Sequence, residues 1–214
     1  MEQDRHTESG EEQNRIEIGF LPEENSPGLL VNIDFFILAV KAFYKAADSR
    51  ERKYQVQRIL TAKDWIEHYK DKHTGRRVLS ESISIEYDHE KLTAISLTQV
   101  NYDVVFAPKG MFRRNDKKFD IYLLRDSIIL EADLKCISSK RPDTIADRII
   151  DGSEQAGRVV LDIRSDVQSK DLIDGLRAGT GKNNLMKEVL LFYKGKFYKL
   201  PRNLIWSKKI FGIL

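Results

Sequence analysis

Residues 119–135 read FDIYLLRDSIILEADLK, and the fold turns on them. Phe119 to Leu124 and Ile128 to Lys135 are two β-rich runs, and the short Arg125-Asp126-Ser127 segment between them predicts a hairpin. Side chains alternate along a strand, so Glu131, Asp133 and Lys135 point to one side, and Asp120 on the neighbouring strand can present its carboxylate beside them. Asp133 and Lys135 follow Ile128-Ile129-Leu130, in a run that otherwise reads as buried, where unpaired charges are costly and need a reason.

Working outward, Pro142 opens a helix running to about Gln155, with Ile145, Ile149 and Ile150 on one side. Arg158 to Ile163 is a nearly continuous apolar strand, as an interior sheet position requires. Lys170 to Ala178 reads as a helix, and Glu188 to Tyr193 with Lys196 to Leu200 as a hairpin turning at Lys194-Gly195. Upstream, Ser82 to Tyr87 has strand character. Asp88 to Gln99 reads as a helix that Asp88 can cap, and Val104 to Ala107 as a strand stopped by Pro108. A basic loop, Lys109 to Lys118, then leads back to the hairpin. Strands and helices in this order predict an α+β, mixed α/β fold with a central sheet flanked by helices.

The first third differs. From Leu29 to Tyr69 the apolar residues fall at helical spacing, from Ile33, Phe36 and Ile37 to Trp65, Ile66 and Tyr69, which predicts two or three helices ended by His73-Thr74-Gly75. Asp48 or Ser49 is the expected cap of the second. This region offers no nucleophile, metal spacing or glycine loop, so its expected role is packing, targeting or cradling a substrate. Residues 1–27 carry eight acids against two arginines and few large apolar groups, a composition that favours a disordered tail. The expected organisation is therefore a tail at 1–27, a helical region at 28–80 and an α/β domain at 81–214.

Composition narrows the functional classes. With 41% hydrophobic and 32% charged residues in 214, the chain is neither collagenous, nor disordered throughout, nor a membrane bundle. The longest apolar stretch, Leu29 to Phe43, is broken by Asn32, Asp34 and Lys41 and falls short of the ~20 residues a bilayer span needs. Met1 to Gln13 is too acidic and polar for a secretory leader. The single Cys136 excludes an intramolecular disulfide or a multi-cysteine zinc cage, and His6, His68, His73 and His89 lack a ligand spacing. Net charge is +3, but outside the acidic first 27 residues it is +9. Such a body suits a polyanion such as nucleic acid, and an even scatter of surface lysines gives the same total.

Two carboxylates on adjacent strands are what a hard divalent cation needs, its other ligands being waters and phosphate oxygens. A lysine beside them can position a water or stabilise charge growing on phosphorus. Rival motifs are thinner. Gly179-Thr180-Gly181-Lys182 has Leu176 where a phosphate loop needs glycine and Asn183 where it needs Ser or Thr, so it reads as a flexible connection. Cys136 would face away from the site. Lys109, Arg113, Arg114, Lys117 and Lys118 flank the site in sequence and can grip phosphates, or simply be solvated.

With these residues in view, the stretch from Asp88 to Ile163 resembles the PD-(D/E)XK phosphodiesterase superfamily, whose restriction-endonuclease-like core has the same order of elements. Asp120 corresponds to the first motif aspartate and Asp133-Leu134-Lys135 to the (D/E)-x-K triplet, without the proline usual before the first aspartate. The resemblance implies Mg²⁺ or Mn²⁺ held by Asp120 and Asp133, with help from Glu90 on the first core helix and the Leu134 carbonyl. Lys135 would assist the attacking water and Gln155 orient it or a phosphate. Together with Gly-Ser-Glu-Gln-Ala at 152–156 and Val-Val-Leu-Asp-Ile at 159–163, these residues look like the C-terminal nuclease domains of bacterial polymorphic toxins, including contact-dependent growth inhibition toxins. That likeness implies action on DNA or tRNA in the cytoplasm, delivery from another cell within a larger toxin, and a cognate immunity protein. Related toxins also use the barnase/EndoU/colicin/RelE ribonuclease fold. A metal-independent tRNA ribonuclease with His89 as general base therefore stays open, as does a non-catalytic nucleic-acid-binding module.

Overall fold

The computed structural model describes residues 29–62, 65–81, 87–108, 111 and 118–214. The acidic 1–27 segment, the strand expected within 82–87 apart from Tyr87, and Lys109, Arg113, Arg114 and Lys117 lie outside them.

Among the described residues the fold is α+β: six α-helices, a closing 3-10 helix and one eight-stranded mixed sheet. In chain order these are α1 (Leu29–Lys45), α2 (Ser49–Leu60), β1 (Ile66–Lys70), β2 (Arg77–Ser80), α3 (Asp88–Gln99), β3 (Asp103–Phe106), β4 (Ile121–Arg125) and β5 (Ile128–Ile137). Then follow α4 (Pro142–Gln155), β6 (Arg158–Ile163), α5 (Ser169–Lys182), β7 (Glu188–Tyr193), β8 (Lys196–Pro201), α6 (Arg202–Trp206) and the 3-10 turn Lys208–Gly212. Spatial strand order follows chain order, β1 to β8.

Alternation sorts the core into two faces. On one face α1 and α2 cover Leu79, Val105, Tyr122, Leu124 and Ile129. Farther along the same face α4 and α5 cover Ile137, Val159, Leu161, Val189 and Leu191. On the other, α3 brings Ala94 and Leu97 onto Val78, Val104, Ile121, Leu123, Ala132 and Leu134. Gly175 and Gly179 let α5 close onto α4, since a Cβ at either would come within 2.8 Å of Ile145 or 2.7 Å of Ile149. Lys194 and Gly195 both take positive φ, 49° and 72°, as the two-residue turn between β7 and β8 demands.

Several expectations need correction. Trp65, Ile66 and Tyr69 do not continue a helix. Ile66–Lys70 is β1, paired antiparallel with β2 at the end of the sheet, so 66–70 and 77–80 belong to the sheet rather than to a helical region. Five residues are too few to separate the two periods by pattern alone. Asp48 does cap α2, accepting from Glu51 N–H at 2.8 Å, but Asp88 is the first residue of α3 and Tyr87 stands at the N-cap position, where its side chain makes no capping bond to the helix. The Gly179-Thr180-Gly181-Lys182 segment is the last turn of α5, not a loop. There Thr180 donates back to the Leu176 carbonyl, and the small glycines are used for close packing.

Candidate metal and phosphodiester site

β5 is ten residues long and changes partner halfway. Residues 128–132 pair with β4, ending at Ile121↔Ala132, whereas residues 133–137 pair with β6, beginning at Asp133↔Val159. One further step of the β4–β5 register sets Asp120 opposite Asp133, and paired residues on an antiparallel ladder share a face. The ladder stops at that step. The Leu134 N–H, which would otherwise lack a partner on that side, donates to Asp120 Oδ2 at 2.7 Å. The Asp120 carbonyl still accepts from Ala107 on the β3 side.

This parting point lies on the face shared by the two helical layers, in the seam between them. Ile129 belongs to the α1–α2 layer and Ile137 to the α4–α5 layer, and the three same-face residues between are Glu131, Asp133 and Lys135. Asp133 is 0% exposed, and Lys135 Nζ, 15% exposed, lies 2.5 Å from its Oδ2. Lys135 is the cation set against this carboxylate, and beyond that ion pair neither Asp133 oxygen has a hydrogen-bond donor among the described residues. Ionised carboxylates only accept, and Asp120 and Asp133 have nothing to offer each other but repulsion unless a proton or a cation sits between them. Burial first, then the Asp120 charge, pushes the Asp133 carboxyl up to about 8, while Lys135 opposes the shift.

The unpartnered buried oxygens, the second carboxylate and the acceptor-only chemistry of both fit a hard divalent cation. Asp120 and Asp133 are the side chains placed to hold one. Among the described residues no third His, Cys, Asp or Glu completes the group, so the rest of the shell would come from water and phosphate oxygens.

The remaining predicted site residues are dispersed. Glu90 stands in the first turn of α3, and that helix covers the opposite face, over Ala132 and Leu134. The structure does not bring it to the aspartate pair. His89 beside it is exposed and tilted on Tyr87 with ring centroids 5.5 Å apart. Gln155 is the last residue of α4, half-buried, and lies one turn beyond Gly152, which abuts Asp133. Cys136 points to the α3 side with Asp162 and Arg164, whose charges act on its thiol after burial has raised it. Lys118 is exposed. A cavity of about 290 Å³ between α3 and the β7–β8 turn holds Asp162 and neither aspartate of the pair.

Two contributors were not anticipated. Gly152 lets α4 lie directly on the site, since a Cβ there would stand 2.8 Å from Asp133 Oδ2 and 2.9 Å from Val159. A glycine inside a helical pattern is a readable signal for such contact. Tyr44 on α1 donates its hydroxyl to Glu131 at 3.2 Å, tying the N-terminal helices to the charged strand. Burial raises the Glu131 carboxyl, and Tyr44, Arg158 and Lys187 oppose that rise. The sequence placed Tyr44 in an apolar stripe, and nothing local marks its cross-chain partner.

Compared with protein-family models, with curated proteins and with solved structures, the chain matches none.

Proposed function

We infer that this protein is a metal-dependent nuclease hydrolysing phosphodiester bonds in DNA or RNA, of the kind bacterial toxins carry. The observation that supports the reading is a pair of carboxylates set opposite one another where two strands part, one fully buried with a lysine at its side and no further donor among the described residues. A bound Mg²⁺ or Mn²⁺ would supply charge stabilisation at a phosphate and a water of lowered pKa. Asp120 and Asp133 would hold it, the Leu134 carbonyl being a further candidate, and Glu90 is left out of the set by its position on α3. Lys135 can release Asp133 when the cation arrives and turn to the attacking water or to charge developing on phosphorus. Gln155, one turn along α4 from Gly152, would be the residue to orient water or a phosphate oxygen. The seam between the helical layers limits water around the group, which strengthens each electrostatic contact.

The test incubates the protein with plasmid DNA and with total tRNA, each in Mg²⁺, Mn²⁺ or EDTA. Cleavage that needs a divalent ion and vanishes in Asp133→Ala and Lys135→Ala, both still folded by circular dichroism, supports the reading. Full activity in either variant overturns it. Cleavage persisting in EDTA with 2′,3′-cyclic phosphate ends replaces it by the metal-independent ribonuclease, and binding without cleavage under any metal by the non-catalytic module. A toxin-type origin further predicts an immunity protein that blocks cleavage, and action in the cytoplasm of a recipient cell.

A further inference from the structure

Beyond Glu188 the sequence contains no acid. Residues 189–214 hold five lysines and one arginine, with Trp206 and Phe211 among them. Ile205 and Ile210, both fully buried, anchor α6 and the closing 3-10 turn and leave these two rings outward, Trp206 53% and Phe211 56% exposed. Neither ring is loose. Trp206 donates its indole N–H to Thr180 Oγ1 at 3.2 Å, and its ring lies so close to Gly181 that a Cβ there would stand 3.2 Å from it. Arg177 spans the pair. Its guanidinium donates to the carbonyls of Ile205 and Ser207 and sits 4.9 Å from the centroid of Phe211.

A large ring held in place yet open to solvent has already lost the freedom that binding would cost it. With cations and no acids in the surrounding segment, the complementary partner is an anion with flat apolar faces. We propose that Trp206 and Phe211 are a stacking platform for unpaired bases of a single-stranded nucleic acid, whose phosphates Lys199, Lys208, Lys209 and Arg202 neutralise. A membrane surface fits less well. Interfacial tryptophans keep the indole N–H among polar headgroups, whereas here it is turned inward to Thr180.

Position supports the assignment. Gly181 is in the last turn of α5; Asn183, just beyond it, donates to the Ser153 carbonyl and hydroxyl on α4 at 2.9 and 3.0 Å. Gly152, next along α4, abuts Asp133. Trp206 therefore shares one end of the α4–α5 layer with the carboxylate pair, and Phe211 lies farther back along α5 beside Arg177. The role of the platform rests on the nuclease reading, which it deepens by naming a substrate with unpaired bases.

The experiment measures binding of a fluorescein-labelled oligouridine, and of a duplex of equal length, to the full chain in EDTA. A Trp65→Phe background leaves Trp206 as the sole tryptophan. The platform predicts quenching of Trp206 by the single strand and, by fluorescein anisotropy, an affinity lowered about five- to a hundredfold in Trp206→Ala. It also predicts recovery in Trp206→Tyr, and a smaller loss for the duplex. Affinity unchanged within about twofold in Trp206→Ala, absent quenching, or tighter binding to phosphatidylglycerol vesicles than to the oligonucleotide would overturn it. A protein that binds through Trp206 yet never cleaves sinks the nuclease reading alone. One that cleaves with binding indifferent to Trp206 sinks the platform alone.

Discussion

Replacing Asp133 by asparagine preserves the side-chain shape and installs, beside Asp120, a group that donates rather than repels. The variant thus imitates the protonated acid at every pH. In the native fold Asp133 keeps its proton up to about pH 8, against 3.8 for an ordinary aspartate. Between those values the folded chain binds one more proton at this site than the unfolded chain does. Its stabilising contribution is therefore complete below about pH 4 and is lost as the pH rises through about 8, with a slope of up to about 1.4 kcal/mol per unit. From pH 5 to 8 the loss is on the order of 3 kcal/mol, or about 5–10 °C in Tm for a chain of this size. Calorimetry in EDTA at pH 5, 6.5 and 8 should show the two close together at pH 5 and the wild type falling progressively below Asp133→Asn as the pH rises. Adding Mg²⁺ should raise the wild-type Tm increasingly with pH, because the cation replaces the proton, and leave the variant unmoved. Parallel pH profiles of the two proteins, or equal Mg²⁺ responses, would refute the argument that burial and the Asp120 charge hold a proton on Asp133.

Gly152→Ala should displace the Asp133 carboxylate or lift α4 off Val159, costing about 1–3 kcal/mol in urea unfolding, and should lower cleavage by more than the lost folded fraction explains. Tyr44→Phe removes a donor to Glu131; a loss of about 1 kcal/mol or less is expected by chemical denaturation, with a further upward move of the Glu131 carboxyl visible by NMR titration. Lys194→Asn suits the turn's positive φ better, and should stabilise by about 0.5–1 kcal/mol in the same assay.

The aspartate pair was legible because a hairpin's register follows from its turn. Once Asp126 and Ser127 form the connection, Asp120 faces Asp133 by counting, and the period of two puts Lys135 on the same side. The interior strand β6 was equally readable from its nearly continuous apolar run, and β7 from its hairpin with β8. Glu90 was not, because no local pattern says which face of a sheet a preceding helix will cover; α3 packs by Ala94 and Leu97 on the Leu134 side. The β1 strand was misread where aromatic and polar residues fit either period. Gly179 and Gly181 looked like loop residues because their neighbours Ile149 and Trp206 are distant in sequence. The acid-free C-terminal segment was plain in the sequence, yet its meaning depends on which rings Ile205 and Ile210 leave outside.

The divided allegiance of β5 bears on when the proposed cation site can form. Asp120 arrives with the first half of the strand, whereas Asp133 is locked only after β6 and Gly152 have docked on the second. A nascent chain, or one threaded through a narrow passage, carries both aspartates long before it owns a trap for a cation. On the nuclease reading, activity would wait for the second half of the strand. Amide exchange on β5 should slow at residues 129–132 before residues 134–137 during refolding, and cleavage should emerge with the later step.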